Sequence, residues 1–319
     1  MSRPALYPHT AHDATAWREH RIHTASTQVR LIGAACGRGA KDTRCASGPD
    51  SLQHGKLVDT LRSRGIHTDW QTILHADKKD LSNLHIVTDM AGRLANVVEK
   101  EVQQRHLFAV LGGDHACAIG TWSGAARALH RVGPLGLIWL DAHMDSHTPQ
   151  TSPSGALHGM PLACLLGHGA KALTELAGEQ PALSPAHVCL IGVRSFEPEE
   201  KALLDQLGVR VYYMAEVRKH GLDIIMREAF WHVAKEAAGI GISIDLDGID
   251  PWDAPAVGSP VPGGIRRREL LPALHWLSHQ PGMMGVEIAE FNPALDHRGK
   301  TARLICDILA AITPATDSS

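Results

Sequence analysis

Short, branched apolar runs recur along this chain at residues 29–35, 107–111, 135–140, 188–193, 240–244 and 284–288. Runs this short with apolar side chains in both phases are buried on both faces, which is the pattern of strands in a parallel sheet covered by helices. Helical spacing fills the intervals at 51–64, 86–101, 119–130, 222–238, 268–278 and 301–312. Strand and helix in repetition predict an α/β fold with three layers, α/β/α, about a mostly parallel central sheet. Residues 28–313 read as a single domain, 1–27 as a polar N-terminal extension and 314–319 as a disordered tail.

Composition narrows the partners. Lys plus Arg number 31 against 34 Asp plus Glu, a net charge of -3, and no basic stripe with interleaved aromatics occurs, so nucleic acid is not expected. No apolar run reaches the length of a membrane span and the first residues lack a signal-peptide core, which predicts a cytoplasmic protein without a membrane partner. The six cysteines are scattered with no C-x-x-C pair, and read as buried free thiols suited to a reducing compartment.

Three of the apolar runs end abruptly in acid and imidazole. They are followed by Gly112-Gly113-Asp114-His115, by Asp141-Ala142-His143-Met144-Asp145 and by Asp245-Leu246-Asp247. In doubly wound folds ligands bind outside the carboxyl ends of strands, so these clusters fall where chemistry is expected. The i, i+2, i+4 spacing of Asp141, His143 and Asp145 would point all three one way on an extended segment. Carboxylates buried close together repel unless cations neutralise them, and one ion does not need so many ligands. Oxygen-rich ligation with one imidazole per ion suits a pair of Mn²⁺, although other divalent metals accept the same donors. The turn-rich stretch 146–159 directly follows the second cluster, as a loop serving a site would.

These clusters resemble the three signatures of the ureohydrolases, the arginase and agmatinase family. The likeness extends to Ser47-Gly48-Pro49, His158-Gly159, Ile191-Gly192-Val193-Arg194, the stretch 258–264 and Glu290-Phe291-Asn292-Pro293, spanning roughly residues 29–312. The resemblance implies two Mn²⁺ per subunit: one held by His115, Asp141, Asp145 and Asp245, the other by Asp141, His143, Asp245 and Asp247. It also implies a hydroxide shared by the two ions that attacks a guanidinium carbon, with urea released. Asp145 would carry the proton to the leaving amine, His158 would shuttle protons, and Glu290 would hold the guanidinium by paired charge-assisted bonds. Glu287 is a weaker candidate for a supporting role. A homotrimer or homohexamer is implied as well.

The resemblance implies a small guanidino substrate, and the loop 146–158 has the length arginases use to grip the α-carboxylate and α-amino group of arginine. Ser152 and Ser154 supply hydroxyls for that purpose. His147 and Ala156 stand where arginases typically carry asparagines, and Glu197 where they carry an aspartate. Arginase is therefore the first expectation, with agmatinase, guanidinobutyrase or another guanidine ureohydrolase as the alternative and a catalytically silent metal-binding relative as the remote one. A zinc deacetylase on a related fold is disfavoured, because such sites need one metal and fewer carboxylates.

Overall fold

The computed structural model describes residues 28–76 and 81–313, so the expectations for 1–27 and 314–319 lie outside the described residues. Eight strands form one sheet: β1 (Val29–Ala35), β2 (Thr68–His75), β3 (Leu107–Gly112), β4 (Leu135–Leu140), β5 (Val188–Val193), β6 (Arg210–Tyr213), β7 (Gly239–Asp245) and β8 (Met283–Ala289). Their order is β2-β1-β3-β8-β7-β4-β5-β6, and every pairing is parallel. The expected three-layer α/β/α architecture is present, with a sheet that is wholly parallel among the described residues.

Alternate residues of each central strand feed two separate cores. Ile138 and Leu140 of β4 pack with Ile240, Ile242 and Ile244 of β7 on one face, under helices Leu222–Ala234, Arg267–Ser278 and Lys300–Ile312. Leu137 and Trp139 of β4 pack with Phe108 and Val110 of β3 on the other, under Asn83–Gln103 and Cys117–Leu129. Helix Asn83–Gln103 shows how the sequence sets such a layer: Ile86, Val87, Met90, Ala91, Leu94 and Val98 recur at three- and four-residue intervals and are buried. Its first turn is capped by Ser82, whose Oγ accepts the His85 N–H at 3.4 Å. All six cysteines are buried and free, as expected.

Two strands escape the apolar-run criterion. β2 and β6 each pair on one side only and form the sheet edges, so their sequences, TDWQTILH and RVYY, mix polar with apolar residues. The single helix expected at 51–64 is two, Gly48–His54 and Leu57–Ser63. Between them Lys56 adopts φ 61° and ψ 37°, a left-handed conformation that no helix propagates.

Close approach of a helix layer needs glycine in the strands. A Cβ on Gly241 would lie 2.1 Å from Trp122 Cζ3, and one on Gly285 would lie 2.2 Å from Phe108 Cζ. Both rings belong to one core, so these glycines are seats for aromatic side chains that fill it. Gly92, inside helix Asn83–Gln103, has only Leu176 Cδ2 near its would-be Cβ, at 3.8 Å. Urea denaturation should therefore separate the two: Gly241→Ala is expected to lose about 1–3 kcal/mol by overpacking, and Gly92→Ala to gain up to about 1 kcal/mol of helix propensity.

Candidate metal centre

The four central strands, β3, β8, β7 and β4, end side by side, and each releases site residues at its carboxyl end. β3 leads into Asp114 and His115, β8 into Glu290, β7 ends at Asp245 and leads into Asp247, and β4 leads into Asp141, His143 and Asp145. Because β3 and β4 are consecutive in sequence but separated by β8 and β7 in space, the crevice opens where strand order reverses. Tight turns make this edge: a Cβ on Gly113 would fall 1.9 Å from Cys36 O, so β3 can turn against the end of β1 only without a side chain.

Three carboxylate oxygens converge on one imidazole nitrogen. His115 Nδ1 lies 2.9 Å from Asp145 Oδ2, 3.0 Å from Asp245 Oδ2 and 3.4 Å from Asp141 Oδ2. Yet neither His115 Nδ1 nor Asp145 Oδ2 has a well-directed hydrogen bond, although both are buried. One proton cannot serve three acceptors, whereas a cation at their common centre serves all four donors, so the residues fit a metal ion. A second group lies beside it, with His143 Nδ1 3.1 Å from Asp247 Oδ2 and 3.6 Å from Asp141 Oδ1. Asp141 thus offers one oxygen to each group, the arrangement of a bridging ligand. By distance Asp245 falls in the first group; its Oδ1 accepts the Asp247 N–H at 2.8 Å.

Electrostatics agree with a need for cations. Burial and the neighbouring charge of Asp247 and Asp141 push Asp245 well above the usual carboxylate range, and burial with Asp141 raises Asp247 to about 7. Burial alone would lower His115, but its contacts with Asp141, Asp145 and Asp245 hold it well above an ordinary histidine. The segment 141–145 is not extended as the spacing suggested. Asp145 turns back at φ 49°, sending its carboxylate to His115 while His143 goes to Asp247. Glu290 also has positive φ, 68°, so two of the expected catalytic carboxylates stand on backbone that side chains seldom adopt.

Behind His115 runs a chain of donors, Ser243 and Cys117, that the sequence reading did not anticipate, ending on Glu287, which it named for a supporting role. Nδ1 faces the carboxylates, so Nε2–H donates to Ser243 Oγ at 2.9 Å, and Ser243 Oγ–H donates in turn to Glu287 Oε2 at 3.2 Å. Cys117 Sγ–H donates to Glu287 Oε1 at 2.8 Å, and Trp139 stacks on the imidazole with ring centroids 4.4 Å apart. Such an orienting shell fixes tautomer and ring angle before a metal arrives.

In front of the centre lies a cavity of about 290 Å³ lined by Glu290 and His158 together with Lys41, Ser154, Ala156 and Ser259. Glu290 Oε1 accepts the His115 N–H and faces His158 Nδ1, each at 3.0 Å. Burial would lower His158, but this bond and the Glu290 charge outweigh it and raise the imidazole to about 9. Among the tail-reading candidates, Ser154 and Ala156 line the cavity and Ser152 does not. The Ser152 hydroxyl accepts the Gly155 N–H at 3.0 Å. His147 Nε2 lies 3.2 Å from Glu197 Oε2 and 3.7 Å from Glu200 Oε2, a third cluster in which Glu200 was not anticipated. Asp114 is no metal ligand here. It accepts the Gly39 and Ala116 N–H groups at 2.7 and 3.0 Å, tying the loop after β1 to this edge.

A sequence model of the Arginase family matches residues 27–313. The chain belongs to the arginase family. It is similar to the arginase of Bacillus caldovelox, at 37% identity over 89% of this chain and 97% of that one, and to that of Brevibacillus brevis at 36% over the same shares. The solved arginase of Bacillus subtilis superposes with a TM-score of 0.84 at 34% identity, over 91% of this chain and 99% of that one. Family membership accords with a metal-binding hydrolase, and the donors behind His115 are a local test of it. Ser243→Ala should lower Mn²⁺ affinity about 10- to 100-fold by isothermal calorimetry while the far-ultraviolet circular dichroism stays native.

Proposed function

We propose that the chain hydrolyses L-arginine to L-ornithine and urea, with two Mn²⁺ per subunit. The observation that carries this is the convergence of Asp145, Asp245 and Asp141 on His115 beside a cavity that also presents Glu290. His115, Asp141, Asp145 and Asp245 would hold one ion, and Asp141, His143, Asp245 and Asp247 the other. When bound, the pair neutralises these carboxylates and lowers the pKa of a shared water so that a nucleophile exists near neutral pH.

The remaining work falls to the chain's own groups. Glu290 Oε1 is engaged by His115 N–H and His158, leaving Oε2 to accept from a guanidinium and aim its carbon at the centre. Asp145, whose Oδ2 faces the centre, is suited to receive on its other carboxylate oxygen the proton of the attacking water and pass it to the departing amine. The bond between the guanidino carbon and the chain nitrogen breaks, the water oxygen stays with urea, and the amine leaves protonated. His158, bridging Glu290 and the cavity, is suited to carry protons outward. We further propose a cytoplasmic homotrimer or homohexamer, a location consistent with six buried free thiols.

A second reading, hydrolysis of agmatine, guanidinobutyrate or another guanidine, draws on one observation: Ala156 offers no side-chain hydrogen bond to a tail and His147 is occupied by Glu197. Urea release from arginine, agmatine, guanidinobutyrate and guanidine after Mn²⁺ loading separates the readings. Arginine is expected to give the highest kcat/KM, and absence of urea from all four would leave a silent metal-binding relative. Glu290→Gln is expected to cut kcat/KM about 100-fold or more while elemental analysis finds manganese unchanged. Loss of metal in that variant would make Glu290 part of the fold of the centre instead.

A further inference from the structure

We propose that Lys41, in the loop after β1, is the residue that reads the carboxylate of the substrate tail. The inference rests on the proposed guanidine hydrolysis and concerns its selectivity. Lys41 lines the same cavity as Glu290 and His158, so a molecule with its guanidinium on Glu290 has this ammonium within its enclosure. The other charged neighbours there are already matched. Asp42 takes bonds from Arg44 Nη2 at 2.6 Å, Arg44 Nε at 2.8 Å and Asn292 Nδ2 at 3.0 Å, and Glu290 is held by His115 and His158. Among the described residues Lys41 has no ion-pair partner, and apart from His158 it is the only cationic side chain lining the cavity.

A second line of argument comes from what the opposite loop lacks. A carboxylate entering the cavity needs donors, and Ala156 has none in its side chain. The Ser154 hydroxyl already accepts the Ala156 N–H at 3.2 Å, which leaves its one proton to donate. His147 faces Glu197, whose negative charge repels a carboxylate and suits an α-ammonium. Anions are therefore favoured at Lys41, Ser154 and Ser259, and cations at Glu197. The two ends of an amino-acid tail would be sorted between them.

Lys41 is exposed, so its replacement spares the core and the fold. The test compares Lys41→Met with the wild type on arginine and on agmatine, the same guanidine without the carboxylate. The ratio of kcat/KM for arginine over agmatine is expected to fall about five-fold, with the loss on arginine carried by KM. Lys41→Arg, which keeps the charge, is expected to restore most of that ratio. An unchanged ratio in Lys41→Met overturns the proposal. If the wild type releases urea from neither compound, nor from guanidinobutyrate or guanidine, the hydrolytic reading has failed on its own, and calorimetry with ornithine and putrescine decides Lys41 separately. A lowered preference for ornithine in Lys41→Met supports it, and an unchanged one refutes it.

Discussion

Carboxylates gathered in a dry place are the constraint on which this molecule is built. Asp141, Asp145, Asp245 and Asp247 are buried at one sheet edge, where burial and like charge raise the proton affinity of Asp245 and Asp247 and two imidazoles cannot satisfy four carboxylates. Such a group is tolerable only where divalent cations supply the missing charge, and only a rigid frame holds the oxygens close enough to share them. The wholly parallel sheet is that frame, because it brings four carboxyl ends to one side. The two apolar cores and the glycine seats under Trp122 and Phe108 then serve to fix strands whose outer ends carry the charge.

The frame divides the labour of the site. Residues at strand ends define the reacting centre, and their positions are set by sheet register and by the Ser243, Glu287 and Cys117 bonds behind His115. Residues on the loops after β1 and β4 line the approach, with Lys41 from the first and Ser154 and Ala156 from the second. Loops tolerate substitution far better than a buried charge cluster does. Substrate choice can drift in this architecture while the chemistry stays fixed.

How much of this the sequence disclosed follows the same division. Strands buried on both faces are continuous apolar runs, so six of the eight could be read directly, and the acids that end them stood out for the same reason. The edge strands β2 and β6 carry mixed faces and gave no such run. The helix break at Lys56 depends on one residue's left-handed conformation, to which an apolar periodicity is blind. Lys41, Glu200, Ser243 and Cys117 were not legible because they are ordinary residues in ordinary local contexts. Only tertiary contact puts Cys117 against Glu287, 170 positions away, or Lys41 on a cavity with Glu290. The turn of Asp145 out of an extended path was hidden likewise, since it costs local strain that only the assembled edge offsets.

The strand order carries a consequence for how the protein comes into being. β8, the last strand among the described residues, lies in the interior of the sheet between β3 and β7, and β7 with β8 separates β3 from β4. A nascent chain emerging from the ribosome therefore makes β3 and β4 early but cannot join them, and each exposes a raw edge until the final third is synthesised. The ligands from β3 and β4 stay apart for that whole interval. A partial product that ends before β7 and β8 cannot bring those ligands together, so synthesis of these two strands is itself the gate through which the chemistry is switched on.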